Sequence, residues 1–222
     1  MGINERKEKE KEIRRKDIIE AAERLFFTKG YGNATMDDVA KEAEFSKRTV
    51  YVYFNSKEQI YFEIMIKGYK LLIGMLKDDL QKEKACNAVE EIRRMSQTMY
   101  RFSNEYPEYF RAIMECENGE MDFQKGISDQ SKEECYGLGE EALMYLIRIL
   151  KRGINENYFR SDLNVVKTAL ALWACMIGVF NIAKRKENYI TNYHGIASEE
   201  LISAAFQLII RSIQTESREN DK

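Results

Sequence analysis

The sequence contains one proline and one histidine among 222 residues. With only 12 glycines as well, it is short of the residues that interrupt helices and build tight turns. Abundant Glu, Lys, Leu, Ile and Ala favour long helices over strands, so the fold class expected is all-α. The single histidine also removes most metal chemistry. A di-metal helical bundle needs Glu-x-x-His pairs on two helices, and no Glu stands three residues before His194. The four cysteines, Cys86, Cys116, Cys135 and Cys175, fall at no C-x-x-C spacing. They read as free thiols in a reducing compartment, not as a disulfide framework or a zinc site. No phosphate-cradling glycine loop or nucleophile motif is present either. A helical-bundle enzyme is therefore the weakest reading, and neither cofactor nor metal is expected. The polar, charged N-terminus is unlike a signal peptide. The longest stretch without a charge, Thr168–Ala183, has 16 residues, short of the roughly 20 needed to cross a bilayer. It is expected to be a buried bundle helix of a soluble, cytoplasmic protein with no membrane partner.

What remains is 44% hydrophobic and 32% charged, with net charge −2. Residues 1–57 hold 13 Lys/Arg against 11 Asp/Glu, and the rest 22 against 26. That small asymmetry has the sign of a DNA-binding head on an acidic body. Residues 1–12 alternate Lys, Arg and Glu without an apolar face and are expected to be a frayed lead-in, with a phosphate-touching basic arm as the other reading. From Ile13 a helical stripe runs through Ile18, Ala21, Ala22, Leu25 and Phe26, and stops at Lys29-Gly30-Tyr31-Gly32.

The most informative stretch is Thr35–Ile60. Thr35 precedes Asp38 by three residues, the capping-box spacing. Val39, Ala40 and Ala43 make a small apolar face, so another helix can approach closely. Ser46 caps a second short helix whose core-facing residues are Val50 and Phe54, spaced i and i+4. The ten-residue step from Ala40 to Val50 suits two helices packed near a right angle. Ser56, with Gln59 three on, caps a third helix from Lys57 to about Leu80, expected to join head to body. At about 100° per residue, Arg48, Tyr51, Val52 and Asn55 lie opposite the Val50/Phe54 face. An arginine there can grip guanine O6 and N7, and Val52 can pack on a thymine methyl.

The remaining chain reads as five further helices, about nine in all. They cover roughly Ala88–Asn104, Pro107 to before Asn118-Gly119, Glu133–Gly153, Leu163–Lys186 capped by Asp162, and Ser198 to about Thr215. Gly126-Ile-Ser128 and Tyr193-His194-Gly195 read as loops, with His194 solvated. The domain division expected is a lead-in (1–12), a helix-turn-helix DNA-binding domain (13–56), and a ligand-binding and dimerisation domain (57–222).

Across Ile18–Ile60, at Phe159–Leu163 (FRSDL) and in its two apolar C-terminal helices, the chain resembles the TetR (tetracycline repressor) family of bacterial transcriptional regulators. The resemblance is specific over about residues 13–75 and architectural beyond. It implies a three-helix DNA-binding head, a helical ligand-binding body and a homodimer built from the last two helices. Thr35 and Thr49 match positions that bind phosphate or cap a helix aimed at it, beside the Ser46 cap. Lys47, Arg48 and Tyr51 match groove-facing positions, Tyr53 a phosphate contact, and Lys57 a lysine that grips the DNA backbone. Two residues depart from the family pattern. Glu44 stands where glycine is usual in the turn, and Arg48 replaces a small residue or proline.

The function this implies is that of a ligand-responsive repressor, bound as a dimer to a palindromic double-stranded operator and released by a small-molecule effector. The rival is a helical protein-interaction adaptor without DNA binding, against which Lys47, Arg48, Thr49 and Tyr51 count. The dimer stripe is Leu201, Ala205, Leu208 and Ser212. The effector is unreadable. Tyr100, Tyr109, Met114 and Trp173 are candidate pocket residues with core packing as the alternative, and Glu115, Glu117 and Glu120 could suit a cation, with ordinary solvated acids as the commoner reading.

Overall fold

The computed structural model describes residues 2–82, 87–117 and 130–215. Cys86, Asn118-Gly119, Glu120 and the Gly126–Ser128 segment lie outside the described residues, as does the side chain of Glu117. Among the described residues there are ten helices and a single β-bridge, Phe159 to Gln214. The helices are α1 (Ile3–Lys29), α2 (Met36–Glu42), α3 (Lys47–Tyr53), α4 (Lys57–Lys82), α5 (Ala88–Glu105), α6 (Pro107–Glu117), α7 (Gln130–Asn155), α8 (Val165–Arg185), α9 (Glu187–His194) and α10 (Ser198–Ile213). The chain divides into two compact units, Met1–Lys70 with Tyr106–Leu138, and Leu71–Glu105 with Gly139–Lys222.

The first unit is built around the buried side chains Ile18, Ala22, Phe26, Val39, Val50, Phe54, Ile60 and Ile64. Helix α1 stops where Gly30 adopts φ +84° and returns its N–H to the Phe26 carbonyl at 3.0 Å. Ion pairs clamp the outside of this core, Arg15 to Glu63 (2.6 Å), Glu23 to Lys67 (2.8 Å) and Arg24 to Glu42 (3.2 Å). Helix α6 belongs to this unit as well. A Cβ on Gly68 of α4 would stand 3.1 Å from the Tyr109 side chain, so glycine lets α6 lie close. Tyr109 then packs edge-on to Phe27 (5.3 Å), Tyr61 Oη donates to Glu115 (3.2 Å), and Arg111 donates to the Phe27 carbonyl (3.2 Å).

In the second unit α10 packs on α8 and α5. Phe159, fully buried, fills the space above Gly153, where any Cβ would collide with its ring. The same corner is tied by Arg160 N–H to the Ile213 carbonyl (3.0 Å) and Thr215 N–H to the Tyr158 carbonyl (3.1 Å). Lys184 of α8 donates to the Ser103 carbonyl at the end of α5 (2.7 Å), and Ser198 to the Ala183 carbonyl (3.0 Å).

Four expectations are corrected. Residues 3–12 are not a frayed lead-in: α1 begins at Ile3, because alternating Lys and Glu are good helix formers. The cap of α8 is Asn164, whose Oδ1 accepts the Lys167 N–H at 3.0 Å, while Asp162 pairs with Arg160 (3.1 Å) instead. Tyr193 and His194 are the end of α9, not a loop, with Gly195 at φ +66° as its stop. This extra short helix makes ten rather than nine. His194 is exposed, and its Nε2 lies 3.3 Å from the Tyr189 hydroxyl. Finally, α8 is long and apolar enough to cross a membrane by length and composition, yet only 22% of that apolar span is buried. Val166, Leu170 and Ile182 are exposed, so α8 is not a buried bundle helix.

Candidate nucleic-acid interface

The interface is assembled by two capped helices and the turn between them. The Thr35 hydroxyl accepts the Asp38 N–H (3.1 Å), and the Asp38 carboxylate accepts the Thr35 N–H (2.9 Å), closing the capping box at α2. Hydrogen bonds from Lys29 and Thr35 hold the Asp38 carboxyl down at about 2. The turn passes through Glu44 at φ +57°, a left-handed conformation that costs a non-glycine residue on the order of 1 kcal/mol. Ser46 then caps α3, accepting the Thr49 N–H at 3.1 Å, and its hydroxyl shares a hydrogen bond with that of Thr49 (2.8 Å).

Val50 and Phe54 are wholly buried, which fixes the rotation of α3. Opposite them Arg48, Tyr51 and Val52 project into solvent, Tyr51 at 43% exposure and Val52 at 71%, and Lys47 is exposed at the first position of α3. Thr49 and Tyr53 are half-buried at the edges of this face, and Thr35 and Ser46 are exposed. Arg48 makes no hydrogen bond or ion pair among the described residues, so its guanidinium is free to seek one. Lys47 is already engaged. Its ammonium lies 2.6 Å from Asp37 at the start of α2, and that hydrogen bond raises its pKa.

Lys57 has a different setting from the exposed cations of α3. Its Nζ donates to the carbonyls of Tyr31 (2.7 Å) and Ala34 (2.8 Å) and lies 4.2 Å from the centre of the Tyr31 ring. Burial lowers its pKa. An ammonium has three N–H donors; two are spent on the loop between α1 and α2, and one remains for an outside acceptor. Tyr31 stacks against Tyr61 at 4.5 Å, and burial, helped by Glu58, pushes its phenol far up. Asp37 and Tyr31 escaped the sequence reading. An acid in the first turn of α2 reads there as helix-dipole compensation, and Tyr31 as part of a glycine stop. Nothing local announces that either meets a lysine from a later helix.

The pocket candidates separate. Tyr109 and Met114 are buried in the first unit, whereas Tyr100 and Trp173 are half-buried in the second. Burial raises the Tyr109 phenol to about 12. The second unit carries a groove of about 550 Å³ between α5 and α10, lined by Arg93, Gln97, Tyr100, Phe206, Gln207 and Arg211 among others. Tyr100 closes one side by donating to Glu199 at 2.6 Å. A small apolar cleft beside it, about 40 Å³, shares Ser96, Phe206 and Ile210 with the groove and is lined by Met95, Leu146 and Met176. On α10, Leu208 is 67% exposed, Ser212 is exposed, and Leu201 and Ala205 are half-buried, on a stripe separate from the groove.

Residues 18–64, the end of α1 through the start of α4, match the model of bacterial regulatory proteins of the tetR family. Over 58 residues the chain is 41% identical to the uncharacterized HTH-type transcriptional regulator YfiR of Bacillus subtilis (strain 168), covering 26% of this chain and 28% of that one. It is 27% identical over 125 residues to IcaR of Staphylococcus aureus (strain Newman), a negative transcriptional regulator of the biofilm operon icaADBC, covering 56% of this chain and 64% of IcaR. The matches thus span less than two thirds of either relative. The crystal structure of a putative transcriptional regulator from Saccharomonospora viridis, in complex with choline, shares the fold at TM-score 0.67 and 19% identity, over 91% of this chain and 98% of that one. The capped α2, the left-handed turn and the exposed face of α3 thus lie within the segment, residues 18–64, that matches bacterial regulatory proteins of the tetR family.

Proposed function

We propose that this protein is a ligand-responsive transcriptional repressor of the bacterial cytoplasm, binding a palindromic operator as a homodimer. The observation that carries the reading is α3, whose Lys47, Arg48, Tyr51 and Val52 stand out from a rotation locked by buried Val50 and Phe54. Arg48 reads a base edge in the major groove. Thr35, Ser46, Thr49, Tyr53 and the remaining N–H of Lys57 take phosphates, which set register rather than sequence. The similarity to IcaR, a negative regulator, supports repression over activation. Dimerisation covers the exposed apolar residues of α8 and α10, including Val166, Leu170, Ile182 and Leu208, through a two-fold interface with Leu201, Ala205 and Ser212. The effector occupies the groove between α5 and α10. It is amphipathic, with polar atoms facing Arg93, Gln97 and Arg211 and an apolar part toward Phe206. To induce, it must bind the DNA-free form more tightly than the DNA-bound form.

The test is selection of bound duplexes from random sequence, followed by affinity measurements with Arg48→Ala. The variant is expected to lose about 1–3 kcal/mol on the selected site and to relax preference at a symmetric pair of base positions. An equal loss on selected and scrambled DNA would place Arg48 on the backbone. Failure of the wild type to enrich any duplex would reject DNA binding itself.

A further inference from the structure

Helix α1 begins about three turns before the core it serves. Residues 4–14 are all exposed, and the first side chain to meet the head is Arg15, half-buried, with its guanidinium 5.1 Å from the centre of the Phe54 ring and 2.6 Å from Glu63. The direction of this overhang follows from the pairs that bind α1 to α4. Arg15 pairs with Glu63, and eight residues later Glu23 pairs with Lys67, so moving back along α1 means moving back along α4 toward Lys57. Phe54, at the C-terminal end of α3, marks the same side. The overhang from Ile3 to Arg14 therefore leaves the head beside the recognition helix and extends about 18 Å further, at ~1.5 Å per residue.

Its charges are sorted. At about 100° per residue, Lys7, Lys11 and Arg14 fall within roughly 60° of one another, on the stripe that Ile18, Ala21, Ala22 and Leu25 occupy once the helix reaches the core. No acid lies inside that stripe. Glu8 and Glu10 border it, and Arg14 leans to Glu10 at 2.6 Å. One helix face thus changes from apolar, where it covers protein, to cationic, where it is exposed among the described residues. A cationic face continuous with the DNA-reading surface complements the sugar–phosphate backbone.

We propose that the α1 overhang is an outrigger that grips the phosphates flanking each half-site, through Lys7, Lys11 and Arg14. This rests on the DNA-binding reading above and adds an element to it. The test compares Lys7→Gln/Lys11→Gln/Arg14→Gln with Arg6→Gln/Lys9→Gln/Lys16→Gln, which removes the same charge from outside that stripe. Glutamine preserves helix propensity, and circular dichroism checks that the helix remains. Binding to a long random-sequence duplex is titrated with salt. Each phosphate that is no longer neutralised flattens the log–log slope by about 0.9, so the first variant, missing three cations on each of two heads, is expected to lose about 5 units while the second keeps the wild-type slope. Equal loss in both variants reduces the effect to long-range charge and overturns the proposal. So does an unchanged slope in the first, including the case where that variant instead loses binding to phosphatidylserine vesicles. Absence of wild-type binding to any duplex defeats the DNA-binding reading rather than the outrigger alone.

Discussion

Lys57 offers the sharpest test of the head, because its family role and its observed contacts differ. Consider Lys57→Ala. The ammonium makes two charge-assisted hydrogen bonds, to the Tyr31 and Ala34 carbonyls at 2.7 and 2.8 Å, and a cation–π contact with Tyr31 at 4.2 Å. Hydrogen bonds to a charged group contribute about 1.5–3 kcal/mol each, and the ring contact about 0.5–1 kcal/mol. Two effects offset this: desolvation of the half-buried ammonium, which lowers its pKa, and rehydration of the freed carbonyls. A net loss of about 2–3 kcal/mol remains. In a chain of this length that lowers Tm by about 4–12 °C. Lys57→Met keeps the aliphatic stem and should lose nearly as much, since the ammonium makes the contacts. Calorimetry on both variants, paired with salt titrations of DNA binding, separates clasp from phosphate contact. If Tm stays within about 1 °C of wild type while the salt slope falls by about 0.9 per head, the ammonium belongs to a phosphate and the clasp argument fails.

Two further outcomes are expected. Glu44 sits at φ +57°, so Glu44→Gly should relieve the strain of the turn and stabilise the protein by about 0.5–1 kcal/mol after glycine's extra unfolded-state entropy is counted. A fall in Tm would show that the Glu44 side chain has a role the turn geometry does not reveal. Leu208 is 67% exposed on a single chain, so Leu208→Glu should leave helicity intact yet abolish dimers at micromolar concentration by burying an unpaired charge in the interface. Sedimentation that still finds dimers would move the interface off this stripe of α10.

Local features were legible in the sequence because they are closed within a few residues. The Thr35–Asp38 box, the Ser46 cap and the Gly30 stop each join atoms three or four residues apart, and the spacing of Val50 and Phe54 alone sets which side chains of α3 face outward. The misreadings have the same origin. Residues 3–12 lack an apolar stripe, which says only that nothing packs on them, not that the helix ends. Asp162 and Asn164 are both competent caps, and the ion pair to Arg160 decided between them.

Tertiary structure decided what distant residues meet. It sent the Lys57 ammonium to carbonyls 23 and 26 residues away and paired Lys47 with Asp37 across the turn. It also left the apolar face of α8 exposed among the described residues and put Tyr109 and Tyr100 in different compact units. A helical stripe in sequence states that a face is apolar or cationic, but not what will cover it. That depends on which other helices the chain brings alongside, and chain closure over tens of residues leaves no mark in the local pattern.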